Sequence, residues 1–456
     1  MLAEHISKNV LTLNLSQIPE SATQQAKQSI LDGLAAMVAG SATPVGHSII
    51  RFISSCGGAP ESKVIPTDLR CPVALAALAM GTMGHALDYD DSSISLAGHP
   101  TTTILPAALA AGDKMEASGR EVLIAFVAGV ETACKIGRMV NPDHFNRGFH
   151  PTSTIGVFGA TVAAGRLLKL SEEELSYGLG IAGSLSSGLQ VNFGTLTKPL
   201  HAGFAAQHGV VSAILAKEGV TSSKSIFEGN QGFFKAFVGK PIDPSQITHS
   251  IGIAFDLVNP GMVHKLYPSC SRTQAAIHGL LELVNKYGIS PDQIASIECG
   301  TDEKAPEILN FPKPRTEDEG KFSMQFCLAL AAANRKVSIS DFCRERLDDP
   351  KIAELMDKIK MFIDPKIVDL GQEKRLAVSL NVKLVNGKEY VVLHFPKGFN
   401  ENPILEDELI RKYRNCVGLV LNEEKVEQSL ELVLNLERIE NIRNLTCCFV
   451  SEAKSG

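Results

Sequence analysis

The chain has 456 residues, 44% of them hydrophobic and 21% charged, with a net charge of -6 and both signs interspersed. That length exceeds one ordinary core, so a soluble globular protein of two domains is expected. The acidic balance argues against nucleic acid as a partner, which calls for a basic face, but leaves room for a local positive pocket that takes a small anion.

Residues 22–40 carry Ile30, Leu31, Leu34, Ala35 and Val38 on one face and read as an amphipathic helix. Residues 73–88 are almost all small or apolar. They read as a buried helix with His85 and Asp88 at i and i+3, on one face. Residues 101–113 and 121–138 continue the helical pattern. Pro151 stands at a plausible first helical position before an Ala/Gly-rich run to Leu170. Ser171-Glu-Glu-Glu174 has the form of a capping box opening the next helix, and residues 201–218 are helical again. The abundance of alanine and glycine implies helices in close contact.

Near residue 260 the texture changes. Residues 272–287 read as a helix ending at Gly288. Ser290-Pro-Asp-Gln293 has the form of a capping box, although Ile294 to Gly300 then reads as a strand. Residues 321–335 are helical. Leu376 to Leu384 and Glu389 to Phe395 alternate apolar and polar residues around Asn386-Gly387, a hairpin signal. Helical pattern returns over 404–441, and the polar tail from Val450 is expected to fray. The expected fold is mainly α: a large all-helical domain built from 1–262 plus 399–456, with a smaller α+β lid domain, 263–398, inserted.

The ten cysteines form no CxxC pair and read as reduced thiols. The opening Met1-Leu-Ala-Glu-His-Ile6 lacks the basic start and apolar run of a secretory leader. No apolar stretch free of polar residues is long enough to span a bilayer. No membrane association is expected, and the expected compartment is the cytoplasm. Gly178-Leu-Gly180-Ile-Ala-Gly183 spells GxGxxG, but it follows a capping box instead of a strand. It reads as a tight helix contact, not a dinucleotide loop. Walker A, HExxH, EF-hand and zinc-cysteine patterns are absent.

The chemistry concentrates elsewhere. His85-Ala-Leu-Asp88-Tyr-Asp90-Asp91, closed by His99-Pro100, places two imidazoles and three carboxylates in an apolar region. Such groups are costly there unless paired or used, and their density marks a candidate for acid/base work. Arg147-Gly-Phe-His150-Pro-Thr-Ser-Thr154 sets a histidine just before a helix start, where backbone N–H groups attract anions; the plain alternative is that Thr152 and Ser153 cap that helix. Thr197-Lys198-Pro-Leu-His201-Ala-Gly203 and His264-Lys265-Leu-Tyr267-Pro-Ser-Cys270 add lysines, the second at the proposed domain junction, where pockets form preferentially. The turn-rich loop Lys304 to Arg315 has no role readable from its residues. Two lysines and an arginine suit a substrate with two or three carboxylates. The rival chemistry is a divalent-metal hydrolase using His85, Asp88, Asp90, Asp91 and His99 as ligands; lysines facing the same pocket would oppose it.

In this order, the segments resemble the MmgE/PrpD family, which includes 2-methylcitrate dehydratase, cis-aconitate decarboxylase and iminodisuccinate epimerase. The markers are His85-Ala-Leu-Asp88-Tyr-Asp-Asp91, His99-Pro100 leading to Leu105-Pro106, Gly148-Phe-His150-Pro, Thr197-Lys198-Pro-Leu-His201-Ala-Gly203, Lys265-Leu-Tyr267-Pro, and Phe227-Glu-Gly229 through Gly232-Phe233. The resemblance runs over nearly the whole chain. It implies a helical domain with an α+β lid, a homodimer, and no required metal or organic cofactor. It places Asp88, Ser92, His99, His150, Lys198 and Lys265 at active-site positions of the decarboxylase branch, with Ser92 standing for a threonine. A tyrosine expected in the 305–311 loop is replaced, in this register, by Ile308. The dehydratase branch follows its His-Pro pair with Ser-Asp-Asn, where this chain has Thr101-Thr-Thr103.

The expected function is a cofactor-independent lyase on a small anionic di- or tricarboxylate, by decarboxylation or dehydration through a carbanion- or enolate-like intermediate. The alternatives are an epimerase of an iminodisuccinate-like dicarboxylate and a non-catalytic carboxylate-binding protein. His99 and His150 are the expected proton-transfer groups, oriented by Asp88, with Lys198, Lys265, Ser92, His85 and Arg147 around the substrate and no metal ligand.

Overall fold

A computed structural model describes residues 1–245, 250–399 and 401–450; of the polar tail, everything beyond Val450 lies outside the described residues. The fold is mainly α, with a smaller α+β part. Among the described residues no single helix is long and apolar enough to cross a membrane, and all ten cysteines are free.

One large hydrophobic core runs from Leu2 to Met262 and resumes at Leu409 to Phe449. Its centre is a set of helices with little but small residues on their contacting faces: Val73–His85, Thr101–Met115, Gly119–Val140, Gly156–Leu167 and Thr197–Lys217. The later helices Glu406–Val417 and Glu423–Leu434 pack on Glu20–Gly40, so the end of the chain closes on its beginning. The sequence-predicted signals act where they were read. Ser171 caps Glu172–Leu185 with Glu174 as its reciprocal partner, and Gly178 to Gly183 lie inside that helix. The Ala/Gly-rich run after Pro151 is broken, into Pro151–Thr154 and Gly156–Leu167.

A second core gathers Ala275 to Leu384. It is a four-stranded sheet in the order Ile359–Ile363, Ile294–Thr301, Val378–Leu384, Glu389–His394, the first pair parallel and the others antiparallel. Helices Ser271–Tyr287 and Met324–Asn334 pack against it. The hairpin turns at Asn386-Gly387, with Gly387 at φ 85°, a conformation nearly free to glycine. Ser290 closes its capping box over a single 3-10 turn, after which the chain enters Ile294–Thr301, so both of the competing signals there are real.

Just before the second core begins, a two-residue antiparallel ladder pairs Ser92↔Val263 and Ser93↔Met262. Extending that register by one pair step sets Lys265 opposite Asp90, beside Asp88. The histidine- and aspartate-rich segment and the lysine at the junction are thus brought together by strand pairing, not by helix geometry.

Candidate active site

Helix Val73–His85 reaches the site because it lies almost backbone to backbone on Thr197–Lys217. A Cβ added at Gly203 would stand 2.5 Å from the Leu78 carbonyl oxygen, and one at Gly81 would stand 2.9 Å from Gly203 Cα. Any larger residue would part the elements that carry His85 and Lys198. The first helix stops at His85, three residues earlier than its composition suggests. Asp88 therefore does not share a helix face with His85; it follows in the left-handed region at φ 49°, which aspartate tolerates better than most residues. Lys198 sits in the first turn of Thr197–Lys217, where the proline that follows it removes no helical hydrogen bond.

Asp88 is the hub. Lys198 Nζ donates to Asp88 Oδ2 at 2.7 Å. Lys265 Nζ donates to Asp88 Oδ1 and, at 2.8 Å, to the Asp88 carbonyl oxygen. All three residues are buried. Burial works to raise the Asp88 carboxyl, but the two ammonium groups outweigh it and hold it well below the usual carboxylate range. Burial and the neighbouring Lys265 pull Lys198 below its ordinary value despite Asp88. Burial also works against Lys265, but Asp88 keeps it above its ordinary value. Two positive groups thus share one carboxylate, leaving a net positive charge.

The imidazoles are held by other partners. His85 Nδ1 donates to both oxygens of Asp90, at 2.9 and 3.0 Å. His99 Nδ1 lies 2.7 Å from the Asp91 carbonyl oxygen and 3.2 Å from Asp90 Oδ2. Both are acceptors, so Nδ1 carries a proton and Nε2 is left facing Asp88 Oδ1 at 3.9 Å. His150 Nδ1 meets His201 Nδ1 at 3.0 Å. The rings of His85 and His99 are 4.5 Å apart and those of His85 and His150 5.9 Å. Burial, despite Asp90, holds His85 down to about 3. Burial, His201 and Lys198 hold His150 well below its ordinary value, and both are neutral bases or donors at pH 7. Asp88 makes no hydrogen bond to His99 or His150, the histidines it was expected to orient: Asp90 and the Asp91 carbonyl hold His99, and His201 holds His150.

These groups border a cavity of about 380 Å³ between the two cores, within the range of small-molecule sites. Asp88, Ser92, His99, His150 and Lys198 line it. Ser92 also accepts a hydrogen bond from Ser271 at 3.0 Å. Three expected substrate contacts do not line it. His85 stands behind His99 against Asp90. Lys265 is wholly buried, its ammonium engaged by Asp88. Arg147 is exposed and reaches toward Gly239, because the turn before Gly148 points it away. The hydroxyls after His150 neither cap the helix nor line the cavity. Thr152 accepts the His99 backbone N–H at 3.1 Å, and Thr154 bonds His144 at 2.7 Å.

Sequence reasoning missed the arginines that do line it: Arg138, Arg272 and Arg375. Arg272 pairs with Asp302. Arg375 is bound to the carbonyls of Ile94 (3.1 Å) and Gln372 (2.8 Å), and burial together with Arg272 brings it down to about 10. Arg272 lies two residues past the Tyr267–Cys270 motif and was within reach of a wider window. Arg375 sits in the charged run Glu373-Lys-Arg375, which looks like any solvated surface.

His85, Asp88, Asp90 and His99 offer ligand atoms within 4.8 Å of one another. A metal ion there would have to displace two ammonium groups from Asp88, so the donor set fits a divalent ion poorly.

The chain is 27% identical to human cis-aconitate decarboxylase over 98% of its own length and 94% of that protein's. It is 26% identical to the mouse enzyme, over 95% and 90%, and 24% identical to cis-aconitate decarboxylase of Aspergillus terreus, over 97% and 94%. Residues 4–254 match the MmgE/PrpD N-terminal domain and residues 267–438 the MmgE/PrpD C-terminal domain, and the chain belongs to the MmgE/PrpD family.

Proposed function

We propose that the protein is a lyase that decarboxylates a small, cis-aconitate-like tri- or dicarboxylate without a cofactor. The observation that carries this reading is the placement of cations on both sides of the cavity. Lys198, in contact with Asp88, lines the helical side, and Arg272 and Arg375 line the α+β side, matched to a ligand with carboxylates at both ends. The names of the relatives favour loss of carbon dioxide over loss of water.

In the proposed reaction the bond from carbon to the departing carboxylate breaks, its electron pair stays on the substrate carbon, and carbon dioxide leaves. The charge spreads toward a remaining carboxylate. Fixed cations at that point stabilise the transition state by about 3 kcal/mol for each well-placed donor, the scale of an oxyanion hole. A proton from the His150 imidazole on the wall then closes the carbon. The α+β part supplies Arg272 and Arg375 to a cavity whose imidazoles come from the helical part, so closure of one on the other would both complete the site and exclude water.

Mixing purified protein with cis-aconitate, 2-methylcitrate and iminodisuccinate in D₂O, and following each by NMR, tests the reading. Release of carbon dioxide with one deuterium in the product is expected. Two imidazoles on one cavity wall, with ring centres 6.4 Å apart, also suit an epimerase, and deuterium exchange without net conversion would select it. Saturable binding without any turnover would mean a carboxylate-binding protein.

A further inference from the structure

The segment Thr197 to Gly203 contains a histidine that the proposed chemistry leaves unused. His201 is 5% exposed and does not line the substrate cavity. It lines a second cavity instead, with Phe149, Ser186, Thr197, Phe204 and Phe237. His150 lines the first cavity and not the second. The two rings meet nitrogen to nitrogen, Nδ1 to Nδ1, at 3.0 Å, so the pair bridges the two cavities.

A contact between two ring nitrogens at that distance holds one proton. Which ring owns it decides what His150 presents at its other nitrogen. If His150 owns it, its Nε2 is a bare acceptor. If His201 owns it, His150 carries its own proton on Nε2 and is a donor. A carboxylate or carbanion in the first cavity can only accept, so it selects the second arrangement. Burial holds both rings neutral, His201 at about 4 with Lys198 adding to the effect, so neither carries an extra proton that would blur the choice.

We propose that His201 is the positioning residue that fixes His150 as the Nε2–H tautomer and resupplies the proton His150 gives up. As Nε2–H leaves for the substrate carbon, the shared proton passes from His201 Nδ1 to His150 Nδ1. In the same step His201 Nε2 takes a proton from solvent in the second cavity, so neither ring is left as an imidazolate. One proton enters for each one delivered, and His150 never becomes an anion. After product departs, water in the first cavity reprotonates His150 Nε2 and the shared proton returns to His201, which releases its Nε2 proton outward. The inference rests on the lyase reading only for the identity of the proton acceptor.

The test has two independent arms. Histidine-labelled protein saturated with citrate, read by ¹⁵N NMR, is expected to show His150 protonated on Nε2 and bare on Nδ1. That preference is expected to disappear in His201→Leu and to return in His201→Asn, whose side-chain amide can donate from the same place. In steady-state assays His201→Leu is expected to lose about a hundredfold or more in kcat with KM within about twofold, the scale of one general acid. His201→Asn, which donates but cannot pass a proton, is expected to stay slow. An unchanged His150 tautomer in His201→Leu would overturn the positioning role, and full recovery of kcat in His201→Asn would overturn the resupply. Absence of turnover by the unaltered protein on all three substrates would sink the lyase reading instead, and leaves the NMR arm intact.

Discussion

Lys198 Nζ and Asp88 Oδ2 stand 2.7 Å apart at the edge of the cavity, while the Lys265 ammonium holds the other oxygen of the same carboxyl from behind. The two lysines look equivalent in sequence but occupy different environments. Lys198 is close to the faces of Phe193 and Phe322, at 5.5 and 5.0 Å from the ring centres, and is the one a ligand can reach. Lys198→Met is expected to lower kcat/KM by about a hundredfold or more, the scale of a lost electrostatic donor. Lys265→Met is expected to act first through stability, lowering the thermal midpoint more than Lys198→Met does. Equal loss of substrate use with equal stability in the two variants would contradict the division.

Asp88→Asn removes the carboxylate to which both ammonium groups donate. Leaving buried charge uncompensated costs about 3–5 kcal/mol, so a large drop in the denaturation midpoint is expected. Combining Asp88→Asn with Lys265→Met deletes one positive charge along with the negative one, and the double variant is expected to be more stable than Asp88→Asn alone. A double variant that loses the sum of the two single losses would show that the three groups do not act as a unit.

Much of this site was legible in the residues, and the illegible parts share a cause. The cluster from His85 to His99 stands out because ionisable groups are rare in alanine-rich surroundings, and the hairpin at Asn386-Gly387 because its turn chemistry is local. What could not be read depends on pairing across distance. Lys265 meets Asp88 because Ser92 pairs with Val263, and nothing near either residue announces that ladder. The strand Ile359–Ile363 forms by lying parallel to Ile294–Thr301, a choice made by packing well outside its own five residues. Asp88 turns away from the helix pattern because Val73–His85 ends early. Arg375 becomes half-buried only once the two cores meet beside it.

Acid should unfold this protein from the site outward. His85 is held at about 3, His201 and His264 at about 4, and His150 well below the ordinary 6.5, in every case chiefly by burial. Each is neutral when folded and gains a proton on unfolding, so its contribution is whole above about 6.5 and is lost as pH falls toward the folded value. Asp91 opposes them: burial and Asp32 hold it up to about 8, so its contribution is whole in acid and shrinks as pH rises from about 4 to 8. Together these groups leave an uptake of about three protons on unfolding near pH 5, each worth about 1.4 kcal/mol per pH unit. Urea denaturation from pH 7 to 4.5 should therefore show stability falling steeply below 6.5, and a flat profile over that range would mean these imidazoles are not neutral in the fold.

Ile308 lines the cavity at the position where the resemblance to the decarboxylase branch leads one to expect a phenol. An apolar side chain there offers no donor to a carboxylate. Ile308→Tyr would add one hydroxyl donor. A hydrogen bond to a charged group contributes about 1.5–3 kcal/mol, so kcat/KM on cis-aconitate is expected to rise by about tenfold or more. Turnover of a dicarboxylate lacking the third carboxylate should gain nothing and could fall through lost space. If the variant treats both classes of substrate as the unaltered protein does, residue 308 does not read the carboxylate pattern, and the choice of substrate lies with the arginines on the α+β side of the cavity.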